Sequence, residues 1–257
     1  MSIKTVIKKL TPTPLWMMSR RIRRLAIETK DKRRSTREVF TQIYSDNLWR
    51  AGRSLADKDL PFYSGPGSDE ESAKPYLDCI NTFIKAHNVK SVVDLGCGDF
   101  RVGSRIGDSS LRYTGVDIVA PLIQANQARF GNDRIEFHCL DIITDDLPAG
   151  ELCLARQVLQ HLSNAQIIRI LSKLRQFKWV IITEGWPSPA GTFKPNRDKP
   201  HGRDARLVWN SGVVLSEAPF NVPGVRTLLE VTSVRSDHEK EWIYSFLLAN
   251  PVQEASA

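Results

Sequence analysis

The sequence predicts an α/β fold built on a doubly wound, mostly parallel sheet. Between residues 91 and 249, short apolar runs alternate with segments of helical periodicity. A glycine turn follows the first run, and an acidic residue ends or follows each of the next two. Apolar strands that alternate with helices are typical of a parallel sheet covered on both faces. We therefore expect the strand ends, with their polar residues, to gather at one edge of the sheet.

Each element is predicted from its own local pattern. Continuous apolar runs predict buried parallel strands at residues 91–95, 113–116, 135–138, 152–155 and 179–183, with further strands at 226–234 and 242–248 closing the sheet. Apolar residues three and four positions apart predict helices at residues 100–106, 121–130 and 164–177. The same spacing predicts an N-terminal helical extension with helices at residues 38–49 and 70–87.

The composition excludes several classes of protein. The chain has 257 residues, of which 41% are apolar and 25% are charged, as in ordinary soluble globular proteins. A disordered chain, a collagen-like repeat and a multi-span membrane protein are therefore excluded. We expect a cytoplasmic protein with no metal site, because its cysteines are not spaced as zinc ligands or as a C-x-x-C pair. The four are Cys79, Cys97, Cys139 and Cys153.

The positive charge of the chain is concentrated at its N-terminus. The first 40 residues hold twelve Lys or Arg and three Asp or Glu, a local charge of +9, whereas the remainder carries −2. We divide the chain into a basic amphipathic arm and linker (1–37), a helical preface or lid (38–90) and a ligand-binding domain (91–257). Because the body is close to neutral, nucleic acid is disfavoured as a partner.

Apolar residues recur at helical spacing within the basic arm. They are Leu15, Met18, Ile22 and Leu25, and arginines occupy most of the positions between the last three. A short basic amphipathic helix of this kind can lie on an anionic membrane surface or on a partner protein. It can equally pack on its own domain and leave the arginines in water.

The glycine turn after the first strand is the most informative segment of the chain. It contains Asp94, Gly96, Cys97 and Gly98. A dinucleotide-binding turn would need a third small residue where Arg101 stands. An acid two residues before the first glycine would also repel a pyrophosphate, whereas it suits a ligand with an ammonium group. The turn therefore favours a nucleoside-amino acid ligand.

The next two strands add carboxylates in the same order. Asp117 ends the second strand, where a carboxylate can accept hydrogen bonds from both hydroxyls of a ribose. Asp141 and Ile142 follow the third strand, where an acid can reach an adenine amino group and an apolar side chain can pack on the ring. Either acid alone could simply cap a loop, but the ordered set favours a binding cleft.

These motifs together resemble class I S-adenosylmethionine-dependent methyltransferases. The resemblance covers about residues 85–185 and includes a fourth motif at residues 157–162. It implies a seven-stranded sheet, a methionine site at Gly96 and Gly98, and S-adenosylmethionine as cofactor. It also implies Asp117 at the ribose and Asp141 with Ile142 at the adenine. We include Cys97, Ile118 and Gln157 among the expected cofactor contacts, and Phe100 stands where the family has a small residue.

A narrower resemblance is to bacterial methyltransferases of polysaccharide and glycoconjugate loci. It rests on Phe40-Thr41-x-Ile43-Tyr44, Trp49, the Ser-Gly-Pro-Gly-Ser loop at residues 64–68, Cys97–Phe100, Asp117–Val119, His161–Ser163 and Pro219–Asn221. This resemblance implies methylation of an oxygen or nitrogen on a small or glycan-linked acceptor. A lipid or secondary metabolite is the alternative. A nucleic-acid methyltransferase and a non-enzymatic binding module are the other hypotheses.

Methyl transfer from a sulfonium needs alignment and exclusion of water more than acid–base chemistry. A base is needed only where the acceptor loses a proton. His161, just after the fourth strand, is the best candidate for that base, although it could instead serve a structural role at a helix start. Glu184, at the end of the fifth strand, is a weaker candidate. Tyr44, Trp49 and the 64–68 loop are expected to form a lid.

Overall fold

A computed structural model describes residues 29–50, 61–234 and 240–248, together with Ile22 and Ile27. Most of the predicted basic amphipathic helix therefore lies outside the described residues. Ile22 is helical and 58% exposed, and a helical stretch at residues 29–31 leads into the first well-defined helix. Among the residues that the structure describes, no helix combines the length and the apolar content needed to cross a bilayer.

The sheet has seven strands, as expected, in the order β3-β2-β1-β4-β5-β7-β6. The strands are β1 Ser91–Leu95, β2 Arg112–Asp117, β3 Ile135–Cys139, β4 Leu152–Arg156, β5 Trp179–Trp186, β6 Val225–Val234 and β7 Lys240–Leu248. Strands β1 to β5 pair in parallel, whereas β7 runs antiparallel to both β5 and β6. The carboxyl ends of β1 to β5 therefore share one edge with the start of β7.

Four helices of at least ten residues surround this sheet in the described chain: α1 Thr36–Ser45, α2 Glu70–Ala86, α3 Ala120–Phe130 and α4 Asn164–Lys173. Local signals fix the starts of two of them. Ser35 and Glu38 form a capping box at the start of α1, and Ser163 and Gln166 form another at α4. Each box satisfies backbone N–H groups that the first helical turn leaves without partners.

The apolar core lies on both faces of the sheet. Alternate residues of one strand point to opposite faces, so Val93 packs in the layer that contains α4, whereas Val92 packs in the layer that contains α2. Helix α2 therefore shares a core with β1, although the two belong to different segments of the sequence-based division.

The predicted helix at residues 100–106 is wrong. Phe100 has a φ of 61°, and only a short 3-10 turn forms at Gly103–Arg105. The side chain of Phe100 is 2% exposed, and its ring lies 5.0 Å from that of Tyr113 and 4.9 Å from that of Phe137. Aromatic packing thus holds the backbone in a left-handed conformation from which an α-helix cannot start.

Candidate active site

A cavity of about 480 Å³ lies at the carboxyl ends of strands β1 to β4. Helix α1 and the loop of residues 64–68 cover one side of it, and residues 203–208 close another. Ligands of open α/β sheets bind at this edge. Every cofactor contact predicted from the sequence lines this cavity: Asp94, Gly96, Cys97, Gly98, Asp117, Ile118, Asp141, Ile142 and Gln157.

The glycine turn after β1 requires both of its glycines. Gly96 and Gly98 have φ values of 74° and 58°, in the left-handed region that favours glycine. A Cβ atom on Gly98 would lie 2.3 Å from Ser64 Oγ, and one on Gly96 would lie 2.5 Å from a Val158 methyl. The turn thus brings its backbone against the covering loop and against the turn after β4.

Asp94 is buried at the floor of the cavity. The Tyr113 hydroxyl donates a hydrogen bond of 2.5 Å to its Oδ2. Burial raises the pKa of Asp94 to about 6, against the opposing effects of the Tyr113 hydrogen bond and the Arg156 charge. A cationic group of a ligand would stabilise the ionised form of this buried carboxylate. The sequence predicts such a ligand here, one that carries an ammonium group.

Asp117 is held by the glycine turn itself. Its Oδ2 accepts a hydrogen bond from the Gly98 N–H at 3.2 Å, and its Oδ1 accepts one from the Val119 N–H at 3.1 Å. Burial again raises its pKa to about 6, and these backbone bonds oppose the rise. Each oxygen keeps a further lone pair, which can accept a hydrogen bond from a ligand hydroxyl.

Asp141 combines both roles that the sequence left open. Its Oδ1 accepts a hydrogen bond from the Ile143 N–H at 2.9 Å, so it caps its own loop, and the same residue lines the cavity. Ile118 and Ile142 line the cavity beside it. The third carboxylate is thus adjacent to apolar side chains that suit a purine ring.

The turn after β4 joins the cavity to its cover. Gln157 has a φ of 56°. Its side chain lies close to Gly67, since a Cβ atom added to Gly67 would lie 1.9 Å from Gln157 Oε1. The guanidinium of Arg156 donates a hydrogen bond of 2.6 Å to the Gly67 carbonyl. Burial lowers the pKa of Arg156, and interactions with Tyr76, Asp94, Glu241 and Glu184 oppose this.

The cover is hydrogen-bonded to the glycine turn. The Tyr44 hydroxyl lies 2.9 Å from Ser64 Oγ, and the Asp99 N–H donates to that same oxygen at 2.7 Å. The Ser64 N–H in turn donates to Asp99 Oδ2 at 3.2 Å. Trp49 packs edge-on against Tyr44, with ring centroids 5.2 Å apart. Tyr44, Trp49 and the 64–68 loop therefore occupy the position expected of a lid, and Asp99 is an anchor that we did not single out from the sequence.

His161 lines the cavity, but its ring is a weak base. Burial lowers its pKa to about 3, and the Lys199 charge adds to this effect. Nδ1 lies 3.1 Å from the Gly202 carbonyl oxygen, which can only accept, so Nδ1 carries the proton of the neutral ring. The ring lies 5.5 Å from that of Trp49. His161 thus helps to join the turn after β4 to the loop of residues 196–215.

Glu184, the second predicted base, is not among the residues that line the cavity, and this prediction is corrected. The side chain is fully buried, and its two oxygens accept hydrogen bonds from the Leu159 and Gln160 N–H groups at 2.8 and 3.1 Å. Burial raises its pKa to about 8, whereas those bonds and the Arg206 charge oppose the rise. Glu184 therefore holds the turn after β4 in place.

The far end of the cavity contains residues that the sequence analysis missed. They are Gln160, Arg203, Asp204, Leu207, Val208, Ser233 and Glu241. Because β7 is antiparallel to β6, the end of β6 at Ser233 and the start of β7 at Glu241 meet at this edge. The hairpin places Ser233 and Glu241 here, and the long loop after β5 places residues 203–208, whereas Gln160 lies in the turn after β4.

The fold is that of class I methyltransferases. The N1-methyltransferase of 1,6-didemethyltoxoflavin from Burkholderia thailandensis aligns with a TM-score of 0.54 and 17% identity, over 83% of this chain and 87% of that one. The N-methyltransferase NodS from Bradyrhizobium japonicum aligns with a TM-score of 0.52 and 14% identity, over 80% and 98%. Magnesium protoporphyrin IX methyltransferase from Synechocystis gives 0.51 and 15%, over 84% and 98%.

Similarity to curated sequences is more local. A stretch of 97 residues is 35% identical to proteins of Mycobacterium tuberculosis and Mycobacterium bovis that are described as uncharacterized methyltransferases. It covers 37% of this chain and 49% of theirs, so the chain spans about half the length of the curated relatives it matches. No protein-family model matches the chain.

Proposed function

We propose that the protein is an S-adenosylmethionine-dependent methyltransferase that acts on an oxygen or nitrogen of a small or glycan-linked acceptor. One observation supports this proposal above the others. The carboxylates of Asp94, Asp117 and Asp141 line a single cavity, together with a glycine turn that leaves no room for side chains. The donor set fits the cofactor, because acids suit its ammonium, ribose and adenine amino groups in the order of the strands.

When bound, S-adenosylmethionine supplies a methyl group activated by a positively charged sulfur. In the proposed arrangement Asp94 holds the ammonium group, Asp117 the ribose, and Asp141 with Ile142 the adenine, while Gln157 contacts the cofactor from the turn after β4. The buried carboxylates also stabilise the positive charge of the cofactor in a site of low polarity.

The remaining tasks are alignment and exclusion of water. The lid residues Tyr44 and Trp49, with the 64–68 loop, close the cavity over the cofactor site. A hydroxyl or ammonium acceptor must also lose a proton. His161 is neutral, as a proton acceptor must be, but a pKa near 3 makes it weak. We propose that it mainly positions the turn after β4 and forms part of the acceptor wall.

The acceptor has to be inferred from this chain. By their names, two proteins of similar fold act on acceptors as different as a toxoflavin precursor and magnesium protoporphyrin IX. A glycan-linked acceptor is the narrower proposal, and a lipid or secondary metabolite is its alternative. The body of the protein carries no excess of positive charge, which argues against nucleic acid.

Isothermal titration with S-adenosylhomocysteine tests the cofactor assignment. We expect one binding site per chain at neutral pH. Absence of binding by the folded protein would refute the proposal and favour a non-enzymatic binding module. Incubation with S-adenosylmethionine and fractionated lysate, followed by mass spectrometry for a gain of about 14 Da (one CH₂ group), would then identify the acceptor.

We further propose that the basic arm holds the protein at an anionic membrane surface, at the inner face of a cytoplasmic membrane. The +9 charge of the first 40 residues and the exposed side chain of Ile22 support this role. Deletion of residues 1–28 should then abolish sedimentation with phosphatidylglycerol vesicles and leave the affinity for S-adenosylhomocysteine unchanged. If the full-length protein stays in the supernatant, the membrane role is wrong.

A further inference from the structure

We infer that Gln160, Glu241 and Gly185 form the acceptor subsite, and that this subsite binds a hydrogen-bond-donating group, either a hydroxyl or a protonated amine. Gly185 sets the size of the group that enters. The inference rests on the proposed methyl transfer, since it assigns the far end of the same cavity. It names the chemistry of the acceptor, which neither the fold nor the relatives specify.

Gln160 is an acceptor group without a partner. The residue is 6% exposed and lines the cavity, and its Oε1 makes no hydrogen bond within the described residues. Its backbone is fixed, because its N–H donates to Glu184 Oε2 at 3.1 Å. Leaving a buried polar atom without a partner is unfavourable. A ligand that donates a hydrogen bond to this amide would recover that energy.

Glu241 supplies a carboxylate at the same end of the cavity. It lies at the start of β7, opposite Ser233 of β6, and both residues line the cavity. Its charge interacts with that of Arg156, which also interacts with Asp94. A carboxylate can only accept hydrogen bonds, so Glu241 also selects for a donor and disfavours an anion.

Gly185 separates these two side chains. A Cβ on Gly185 would lie 3.5 Å from Gln160 Oε1 and 3.5 Å from Glu241 Oε2, with Leu207 Cδ1 at 3.4 Å. These are ordinary van der Waals distances, and the φ of Gly185 is outside the left-handed region. Alanine is therefore sterically tolerated, but its methyl group would occupy the space between the two oxygens. The backbone does not require glycine here, and a methyl group at Gly185 would contact the two side chains that line the cavity.

Three sugars that share the same pyranose ring test which chemical group the subsite binds. Glucose presents hydroxyls only, glucosamine adds a protonated amine at pH 6.5, and glucuronate adds a carboxylate. Saturation-transfer NMR of the full chain, saturated with S-adenosylhomocysteine, measures their weak binding. We expect glucose and glucosamine to bind, and glucuronate to bind at least about fivefold more weakly, the factor that one lost hydrogen bond gives.

Variants then locate the binding. Gly185→Ala should weaken glucose and glucosamine by at least about fivefold and leave the affinity for S-adenosylhomocysteine unchanged. Glu241→Gln should weaken glucosamine more than glucose, because it removes charge and keeps shape. Ile168→Ala, on the exposed face of α4, is the control and should change neither the affinity for the sugars nor that for S-adenosylhomocysteine. Thermal unfolding of each variant checks that it is folded, and Glu241→Gln remains a test should Gly185→Ala fail to fold.

The outcomes separate the two levels of proposal. If S-adenosylhomocysteine does not bind, the methyltransferase assignment fails. If it binds but glucuronate is preferred, Arg156 governs the site and the inference is overturned. It is equally overturned if no probe binds, or if folded Gly185→Ala and Glu241→Gln both bind the probes as the unmodified protein does.

Discussion

Replacement of Asp117 by Ala gives the most direct test of the cofactor site. In the structure each carboxylate oxygen of Asp117 accepts one backbone hydrogen bond, from Gly98 or from Val119, and keeps a lone pair for the ligand. Loss of hydrogen bonds to a charged group costs about 1–3 kcal/mol, which corresponds to a dissociation constant about 5 to 150 times larger. Isothermal titration with S-adenosylhomocysteine measures this change.

Controls separate binding from folding in this experiment. The variant leaves the Gly98 and Val119 N–H groups without this acceptor, so thermal unfolding is measured first to establish that it is folded. Asp133→Ala removes an exposed carboxylate before β3 and should leave the affinity unchanged. If folded Asp117→Ala binds S-adenosylhomocysteine as tightly as the unmodified protein, Asp117 does not contact the ribose, and the order of carboxylates along the strands has been misinterpreted.

Four further predictions concern the protonation of buried groups. The pKa of Asp94 is about 6, and the ammonium group of S-adenosylhomocysteine binds its ionised form. The affinity for S-adenosylhomocysteine should therefore rise by about tenfold from pH 5 to pH 7, and a flat profile would be contrary evidence. In the unliganded protein the raised pKa values of Asp94 and Asp117 mean that stabilisation by the protonated acids is lost as the pH rises from about 4 through 6. The His161 ring, with a pKa of about 3, should show no NMR titration between pH 5 and 8, and a midpoint near 6.5 would contradict its buried environment. Glu184→Ala should lower the free energy of unfolding, measured in urea, by about 1–3 kcal/mol, because two N–H groups lose their acceptor. Glu184→Gln should lower it less, because glutamine resembles the neutral acid expected below a pKa of about 8. Equal losses for the two variants would argue against a neutral Glu184.

The strands were predictable because their signal is local. Every predicted strand forms, since a short run rich in apolar residues can be recognised in the sequence without knowledge of its distant contacts. The predicted helix at residues 100–106 failed for the opposite reason. Its apolar spacing is helical, but the packing of Phe100 against two distant aromatic rings decides the backbone conformation. Tertiary contacts of this kind leave no trace in a short stretch of sequence.

The residues of the candidate site likewise fall into those that local sequence predicts and those that depend on tertiary contacts. Asp94, Asp117 and Asp141 were predictable, because parallel strands bring their carboxyl ends to one edge regardless of the details of packing. Gln160 and Glu241 were not, since they meet there only through an antiparallel hairpin and a long loop. Glu184 shows the remaining difficulty. It was predicted to end β5, but the strand continues to Trp186, and the sequence does not reveal that the buried carboxylate accepts hydrogen bonds from two backbone N–H groups.

The strand order separates the two ends of the cavity along the chain. Strands β1 to β3 supply the carboxylates at one end, and residues after β4 supply the wall at the other, with the β6–β7 hairpin folding back to complete it. Substitutions after the turn that contains Gln157 can therefore remodel the pocket for an incoming molecule without changing the residues that we assign to the cofactor. In a protein with this strand order, exchange of one contiguous C-terminal segment can change the selectivity for the incoming molecule.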